Sequence, residues 1–469
     1  MLLLRKVLFY LFLFVYLLLC PLTLLYARGW LFRPGTEGGM WRVGVIALAT
    51  TPPGASVYVE GRRYTERTPT VLRDVLPGRY TVKLTLNGYH PWSQVVPVQD
   101  GQSTVLDHVV LVPYAFRSRV LLPERFAELW PLPGRPLVLL AVGPRLEELF
   151  LYDLKTAQAR SLLPVESPWR GARVMASVIV PRSPVLLLQV RWRDAERWLW
   201  VEPKAGETRV EDVTRLLPAA PDRLAWDPLK PDHLFVWQDG YLNRVDLNEQ
   251  AVHPHWWERV RGFAPWGRAV YVLQDDGQVW RVDHEGQDPL LLPGAVPVGR
   301  SLFGALESFE VQPLSKRLVA LVSERGALWL NRCPDAVVPE GVRGFVHDPA
   351  HARALVWQKA RVGVLDYAAL ASAEAENAVT PGLSWILDDG ASLEQAFWVH
   401  DGSHALVRDQ DRVLLVEASS YGTPHRHDVV RVKARSAIVY AEETGTLYYL
   451  DRDTDQFCAL ELLPRKALP

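Results

Sequence analysis

Hydrophobic and polar positions follow three different rhythms along the chain. Val7–Ala27 are 21 consecutive positions without a charge, dominated by Leu, Phe, Val and Tyr. At ~1.5 Å per residue a helix there covers ~30 Å, the thickness of a bilayer's hydrocarbon core. Thr51–Val112 instead alternate apolar and polar residues in short runs broken by Pro77-Gly78, Glu60-Gly61, Asn87-Gly88 and Asp100-Gly101. That is the pattern of strands joined by tight turns. From Arg117 onward a third rhythm begins, in which an apolar strand ends in an acid. The acids are Asp153, Glu202, Asp246, Asp283, Asp366, Glu417 and Asp451, and Arg332 stands where an eighth would be. Their spacing, 34 to 51 residues, fits the ~40–50-residue period of four-stranded propeller blades.

The first rhythm predicts a single membrane-spanning helix. Arg5 and Lys6 precede it and Arg28 and Arg33 follow, a slight bias toward a cytoplasmic N-terminus and extracytoplasmic domains. Tyr26 and Trp30 suit the far interface. Cleavage after Ala27 puts Leu25 where a signal peptidase needs a small residue, and Leu19 before Cys20 spoils a lipoprotein site. An uncleaved anchor is the expectation.

The second rhythm resembles the PEGA domain, a small β-sandwich module of microbial envelope proteins. Pro52-Pro53-Gly54-Ala55 leads into Ser56–Val59 with a turn at Glu60-Gly61; Thr68-Pro69 follows, and Gly88-Tyr89 with Trp92 closes the signature. Pro53 replaces the Glu of the signature, and Glu66 stands where the family carries Gly. The resemblance extends to bacterial proteins that carry an N-terminal helix, this module and a long β-rich region. It implies work at the cell envelope. Tyr89 and Trp92 are expected to fill the sandwich core rather than stack on a sugar.

The third rhythm predicts a β-propeller, with eight blades favoured over seven. Hairpins are expected at Asp239-Gly240, Asp276-Gly277, Gly326 and Thr444-Gly445. Trp226-Asp227-Pro228, His347-Asp348-Pro349 and His400-Asp401-Gly402 look like degraded Asp-Pro-Asp-Gly turns of TolB-type and WD40-like repeats. The strand-end acids are read as turn caps, with the carboxylate accepting backbone N–H groups. Only Ala368–Ala378 shows a helical pattern. The whole chain is therefore read as all-β apart from its anchor: 1–40 cytoplasmic stub, transmembrane helix and linker, 41–113 sandwich, 114–469 propeller.

Composition narrows the function. Fifty-two basic residues balance 53 acidic ones, for a net charge of −1, with no long basic run. No nucleic-acid partner is expected. Three cysteines, Cys20 among them, exclude a disulfide framework and leave open whether Cys333 and Cys458 pair. Nucleophile elbows, zinc-protease helices, phosphate loops and dinucleotide fingerprints are absent from the sequence, so no catalytic residue, metal or cofactor is assigned. Asp451-Arg452-Asp453-Thr454-Asp455 opens like a calcium loop but lacks its Gly and closing Glu. His400 with His404, and His425 with His427, have usable metal spacings without a helix to present them. His255, Trp256 and Trp257 are the candidate ligand-binding residues, because paired indoles beside a His suit a sugar or a partner peptide. The expected function is an envelope binding or scaffold protein whose partners are envelope proteins or polysaccharide. An extracellular propeller hydrolase or lyase is the alternative, and it requires carboxylates or His at the mouth of the central channel.

Overall fold

The computed structural model describes residues 2–27, 30–33, 39–132, 136–164, 166–179, 185–203, 208–218, 221–299, 306–371, 380–418 and 422–462. Two compact units divide the chain: 1–116 with 417–427 and 463–469, and 117–416 with 428–462.

In the first unit the helix α1 spans Leu2–Ala27 and contains Pro21. Among the described residues no helix is long and apolar enough to cross a membrane, so the expected membrane span finds no support here. Arg28, and the side chains of Tyr26, Trp30 and Arg33, lie outside the described residues.

The sandwich follows. One sheet places Gly44–Thr51 between Thr70–Val75, antiparallel, and Ser103–Val110, parallel. The other is antiparallel, in the order Arg62–Arg67, Ser56–Val59, Gly78–Thr85, Trp92–Val98. Alternation drives the two together: Ile46, Leu48, Val57, Val59, Val82, Leu84, Val96 and Leu106 all face inward. Trp92 is buried in this core and Tyr89 packs against it, as expected of the signature aromatics. Thr68 explains the Thr-Pro step. Its hydroxyl accepts the Ala55 N–H at 3.0 Å and donates to the Thr50 hydroxyl at 2.5 Å, which itself donates to the Pro52 carbonyl. Its backbone N–H donates to the Ala55 carbonyl, and its carbonyl accepts the Gly54 N–H. One buried threonine thus pins the Pro-x-Gly-Ala turn. Glu66, at the departure from the family pattern, is exposed and accepts the Thr70 hydroxyl at 2.6 Å.

The second unit is a series of antiparallel sheets. Among the described residues there are eight, seven four-stranded and one three-stranded. In chain order their strands fall in 128–161, 173–212, 223–257, 260–295, 309–330, 344–387 and 393–431 (blades one to seven). Blade eight combines Val439–Ala441, Thr446–Leu450 and Gln456–Glu461 with Ser118–Arg125, the first strand of the unit, on its outer edge. The first strand of the unit thus joins the last sheet, as a propeller would require. Apolar clusters fill the contacts between successive blades, as with Leu139, Leu151, Leu188 and Leu199 between one and two. A further cluster joins eight to one through Tyr152, Tyr448 and Phe457. All four expected hairpin turns form. Besides two single-turn 3-10 helices, Leu146–Glu148 and Thr214–Leu216, the described helix here is α2, Ala368–Ala371; 372–379 of the expected helical stretch lie outside the described residues.

Candidate functional site

First strands of blades three and four, four and five, and six and seven pack on one another, as strands nearest the axis of a propeller do. Three of them, Arg223–Trp226, Phe309–Pro313 and Gly344–Asp348, begin around a cavity of about 330 Å³. The ends of second strands and a turn residue after one complete it, the position that a central channel's mouth has in a propeller. Trp237, Phe309 and Phe345 supply apolar wall; Asp222, Arg223, Ser308, Glu310, Glu324 and Arg343 supply polar wall. Blade four is pressed close beneath: a Cβ at Gly262 would collide with the Phe309 carbonyl oxygen.

The charged groups divide into committed and free. Asp222 accepts the Asp239 N–H at 2.9 Å. Glu324 accepts the Ser308 N–H at 3.1 Å and its hydroxyl at 2.5 Å. Both carboxylates therefore tie an entering strand to a turn of their own blade. Arg343 donates to the Ser392 hydroxyl at 3.1 Å. Arg223 and Glu310 face each other from blades three and five at 3.9 Å, too long for a hydrogen bond. Their side chains are 35% and 62% exposed. This half-open pair can exchange its mutual contact for a ligand carrying charge of either sign.

The residues singled out from sequence lie elsewhere. His255, Trp256 and Trp257 belong to Ala251–Trp257, the fourth strand of blade three. A bulge separates the Leu242–Trp257 pair from the Arg244–His253 pair, and His255 sits in it with φ of 53°. Its ring stacks on Tyr241 at 4.3 Å. Trp256 lies 5.1 Å from Phe235, and Trp257 lies 6.4 Å from Trp280 of blade four. Both indoles pack on the apolar cluster between blades three and four, with their N–H groups buried and unpartnered. The pair fills an inter-blade seam; only His255 is exposed.

Beside that seam lies a buried polar centre that the sequence did not announce. The Asp227 carboxylate, fully buried, stands 2.9 Å from His284 Nδ1 of blade four. It also accepts the Leu229 N–H at 2.8 Å. Burial alone would raise its pKa, but His284 and the backbone donors hold it below the usual carboxylate range. Arg244 crosses to blade four, donating to the His284 carbonyl and to Glu285 at 2.6 Å. Arg244 and Lys230 together pull Glu285 down to about 2. No serine or cysteine touches the His284 ring among the contacts described, so the centre reads as a blade-to-blade clamp. The Trp226-Asp227-Pro228 motif was the available signal, since its Asp makes the expected turn.

Most strand-end acids do cap turns. Asp153 accepts Lys155 and Thr156 N–H, Asp246 those of Asn248 and Glu249, and Asp451 those of Asp453 and Thr454. Asp283 and Asp366 do likewise. Glu417 departs from the rule: it belongs to the first unit and accepts the Trp92 indole N–H at 3.0 Å. In the deviant copy Asn331 holds the turn, accepting the Val319 N–H, while Arg332 reaches the Leu370 carbonyl of the next blade. Asp451 is thereby a cap and Asp455 pairs with Lys433 at 3.0 Å. His425 contacts Glu417 at 2.8 Å, and the His400 and His404 rings meet edge to face at 6.0 Å. Among the described residues no His, Cys, Asp or Glu group is arranged to hold a metal ion. Cys333 and Cys458 are separate buried thiols; burial raises both, Cys458 to about 11.

Residues 43–111 match the PEGA domain family. No curated protein matches the chain. Among solved structures the chain is similar to BamB from Moraxella catarrhalis, at 13% identity and a TM-score of 0.45, covering 74% of this chain and 98% of that one. It is similar to the β-propeller domain of Cps50 (Swd1) from Myceliophteria thermophila, at 9% identity and 0.39, covering 72% and 96%. A third is PorZ of Porphyromonas gingivalis, a surface component of a type-IX secretion system, at 11% identity and 0.38, covering 71% of this chain and 42% of that one.

Proposed function

We propose that the protein is a cell-envelope binding or scaffold protein, held by α1 in the membrane as a single-pass anchor with its β domains outside. The anchor reading rests on the charge-free run Val7–Ala27 and the basic residues before it. The envelope reading rests on the PEGA match at 43–111. The observation that carries the binding role is the channel-mouth cavity with its loosely paired Arg223 and Glu310. A rigid ring carrying a concave, partly apolar site with a few polar groups is the usual form of a small recognition site. The ligand is a charged fragment of envelope polysaccharide or a peptide segment of an envelope protein.

Three carboxylates at the mouth, Asp222, Glu310 and Glu324, favour the hydrolase or lyase as second reading. It is the weaker one, because two of them are already spent on backbone and hydroxyl donors.

The test is calorimetric titration of the full-length protein in detergent with envelope glycan fragments and peptides, with chromatography of the same mixtures for products. Saturable binding lost in Arg223→Ala and Glu310→Ala, without turnover, supports the binding role. Turnover abolished by the same changes installs the enzyme reading. Binding untouched by both changes removes the cavity from consideration. Alkaline carbonate extraction of cells reports separately on the anchor.

A further inference from the structure

The four-stranded sheet of the sandwich buries one face and opens the other. On the open face Tyr58 stands between Arg63 and Lys83, and Lys83 beside Ser93. Ser56 stands between Arg67 and Thr85, and Arg79 opposite Pro97. Side chains alternate along a strand, so Arg79, Thr81, Lys83 and Thr85 share this face, as do Ser93, Val95 and Pro97. No acid occupies a position on it in Ser56–Val59, Gly78–Thr85 or Trp92–Val98. Arg63, Arg67, Arg79 and Lys83 are exposed, and none makes an ion pair or side-chain hydrogen bond among the described residues. The nearby acids are already engaged: Glu60 accepts the Thr81 N–H at 2.5 Å, and Glu66 accepts the Thr70 hydroxyl.

We propose that this face binds a linear phosphodiester polymer of the polyol- or sugar-phosphate type. Strands ~4.8 Å apart put Arg63 and Lys83 ~10 Å from each other, and four residues along a strand put Arg79 ~13 Å from Lys83. The face is therefore a grid of separated cations, suited to charges repeated along a chain rather than to one compact anion. Arginine forks hold phosphate oxygens bidentately. Ser56, Tyr58, Thr81, Thr85 and Ser93 stand between the cations as hydroxyl donors, the groups that fasten phosphodiester backbones. A single aromatic on the face gives no series of rings for base stacking, which argues against single-stranded nucleic acid. Val95 and Pro97 alone are too little apolar surface to enter a bilayer. The site depends neither on the channel-mouth cavity nor on the anchor.

The test is fluorescence anisotropy of labelled poly(glycerol phosphate) with the full chain in a neutral detergent. Binding should weaken steeply between about 50 and 200 mM salt. The slope of log affinity on log salt should flatten by about 0.7 for each contacting cation removed. Lys83→Gln and the triple Arg63→Gln/Arg79→Gln/Lys83→Gln remove cations from the face. Arg73→Gln, an exposed cation on the other sheet, removes the same charge elsewhere; melting curves confirm that each variant is folded. Loss in the face variants with retention in Arg73→Gln supports the site. No binding at low salt overturns it, as does equal loss in all variants. Stronger competition by single-stranded DNA or anionic vesicles than by unlabelled polymer overturns the ligand class.

Discussion

The sandwich and the propeller unit are built from the same kind of strand, yet they bury polar groups to different extents. The sandwich core is aliphatic and aromatic, with the neutral Thr50–Thr68 pair inside it and one buried acid of its unit, Glu417, accepting the Trp92 indole N–H. The propeller unit buries several charged groups, including Asp227, Arg244, Arg408 and Asp409. The difference follows from geometry. A two-sheet sandwich has one interface, which mid-strand side chains can fill. A ring repeats its interface at every blade, and the turns at blade ends bring backbone groups into it. Asp409 accepts the Ala391 and Ser392 N–H groups, and Arg244 serves the His284 carbonyl. Unmet, each such group would cost about 1–3 kcal/mol. Buried charge in this fold is a means of finishing backbone, and its placement also fixes which blade end meets which.

The largest effect should come from breaking one of these charges. Asp227→Ala removes the carboxylate beside His284 and leaves two N–H groups without their acceptor, and should cost about 3–5 kcal/mol in a thermal or urea melt. Asp227→Ala combined with His284→Phe should recover much of that, because neither partner is then stranded. If the double change is no better than the single one, the clamp is not a pair. Next, Thr68→Val tests the drier unit. It removes the acceptor for the Ala55 N–H and should cost about 1–3 kcal/mol. Calorimetry should show the loss in the sandwich transition while the propeller transition stays in place.

A pH series sharpens the contrast. Glu285 is held at about 2, below its ordinary value, by Arg244 and Lys230. A depressed carboxylate stabilises the fold above its unfolded pKa of about 4.3 and loses that contribution as pH falls toward about 2. The melting temperature of the propeller unit should therefore drop across that window. Glu285→Gln should blunt the drop, modestly, because the side chain is half-exposed and screened. The smallest effect should be Glu66→Gly, which restores the family residue on an exposed strand and should change stability by no more than about 0.5 kcal/mol.

What the sequence disclosed and withheld follows the same division. Turn caps are local: Asp153, Asp246 and Asp451 act on residues two and three places ahead, so strand-end acids and blade spacing were readable in one pass. Thr68 was legible as a signature but not as a clasp, because its partners Thr50 and Ala55 lie 18 and 13 residues away. The channel-mouth cavity was invisible, since Arg223, Glu310 and Arg343 come from three blades and no local motif joins them. The setting of the indole pair was illegible for a related reason. Trp256 and Trp257 are prominent in the chain, but a bulge turns them into the seam beside Phe235 and Trp280. The charge-free run of α1 was plain in the sequence, and its relation to a bilayer stands as proposed.

One further consequence concerns the order of synthesis. Ser118–Arg125 finds its partner strand in Gln456–Glu461, and the Ser118 hydroxyl meets Tyr449, 331 residues later. During translation the early strand emerges with no edge to join. It must wait, unpaired, until nearly every blade has left the ribosome, whereas the sandwich before it already holds all of its strands. A nascent chain of this protein therefore carries a finished small domain beside an exposed strand, the circumstance in which a chaperone or a misdirected pairing has the longest opportunity.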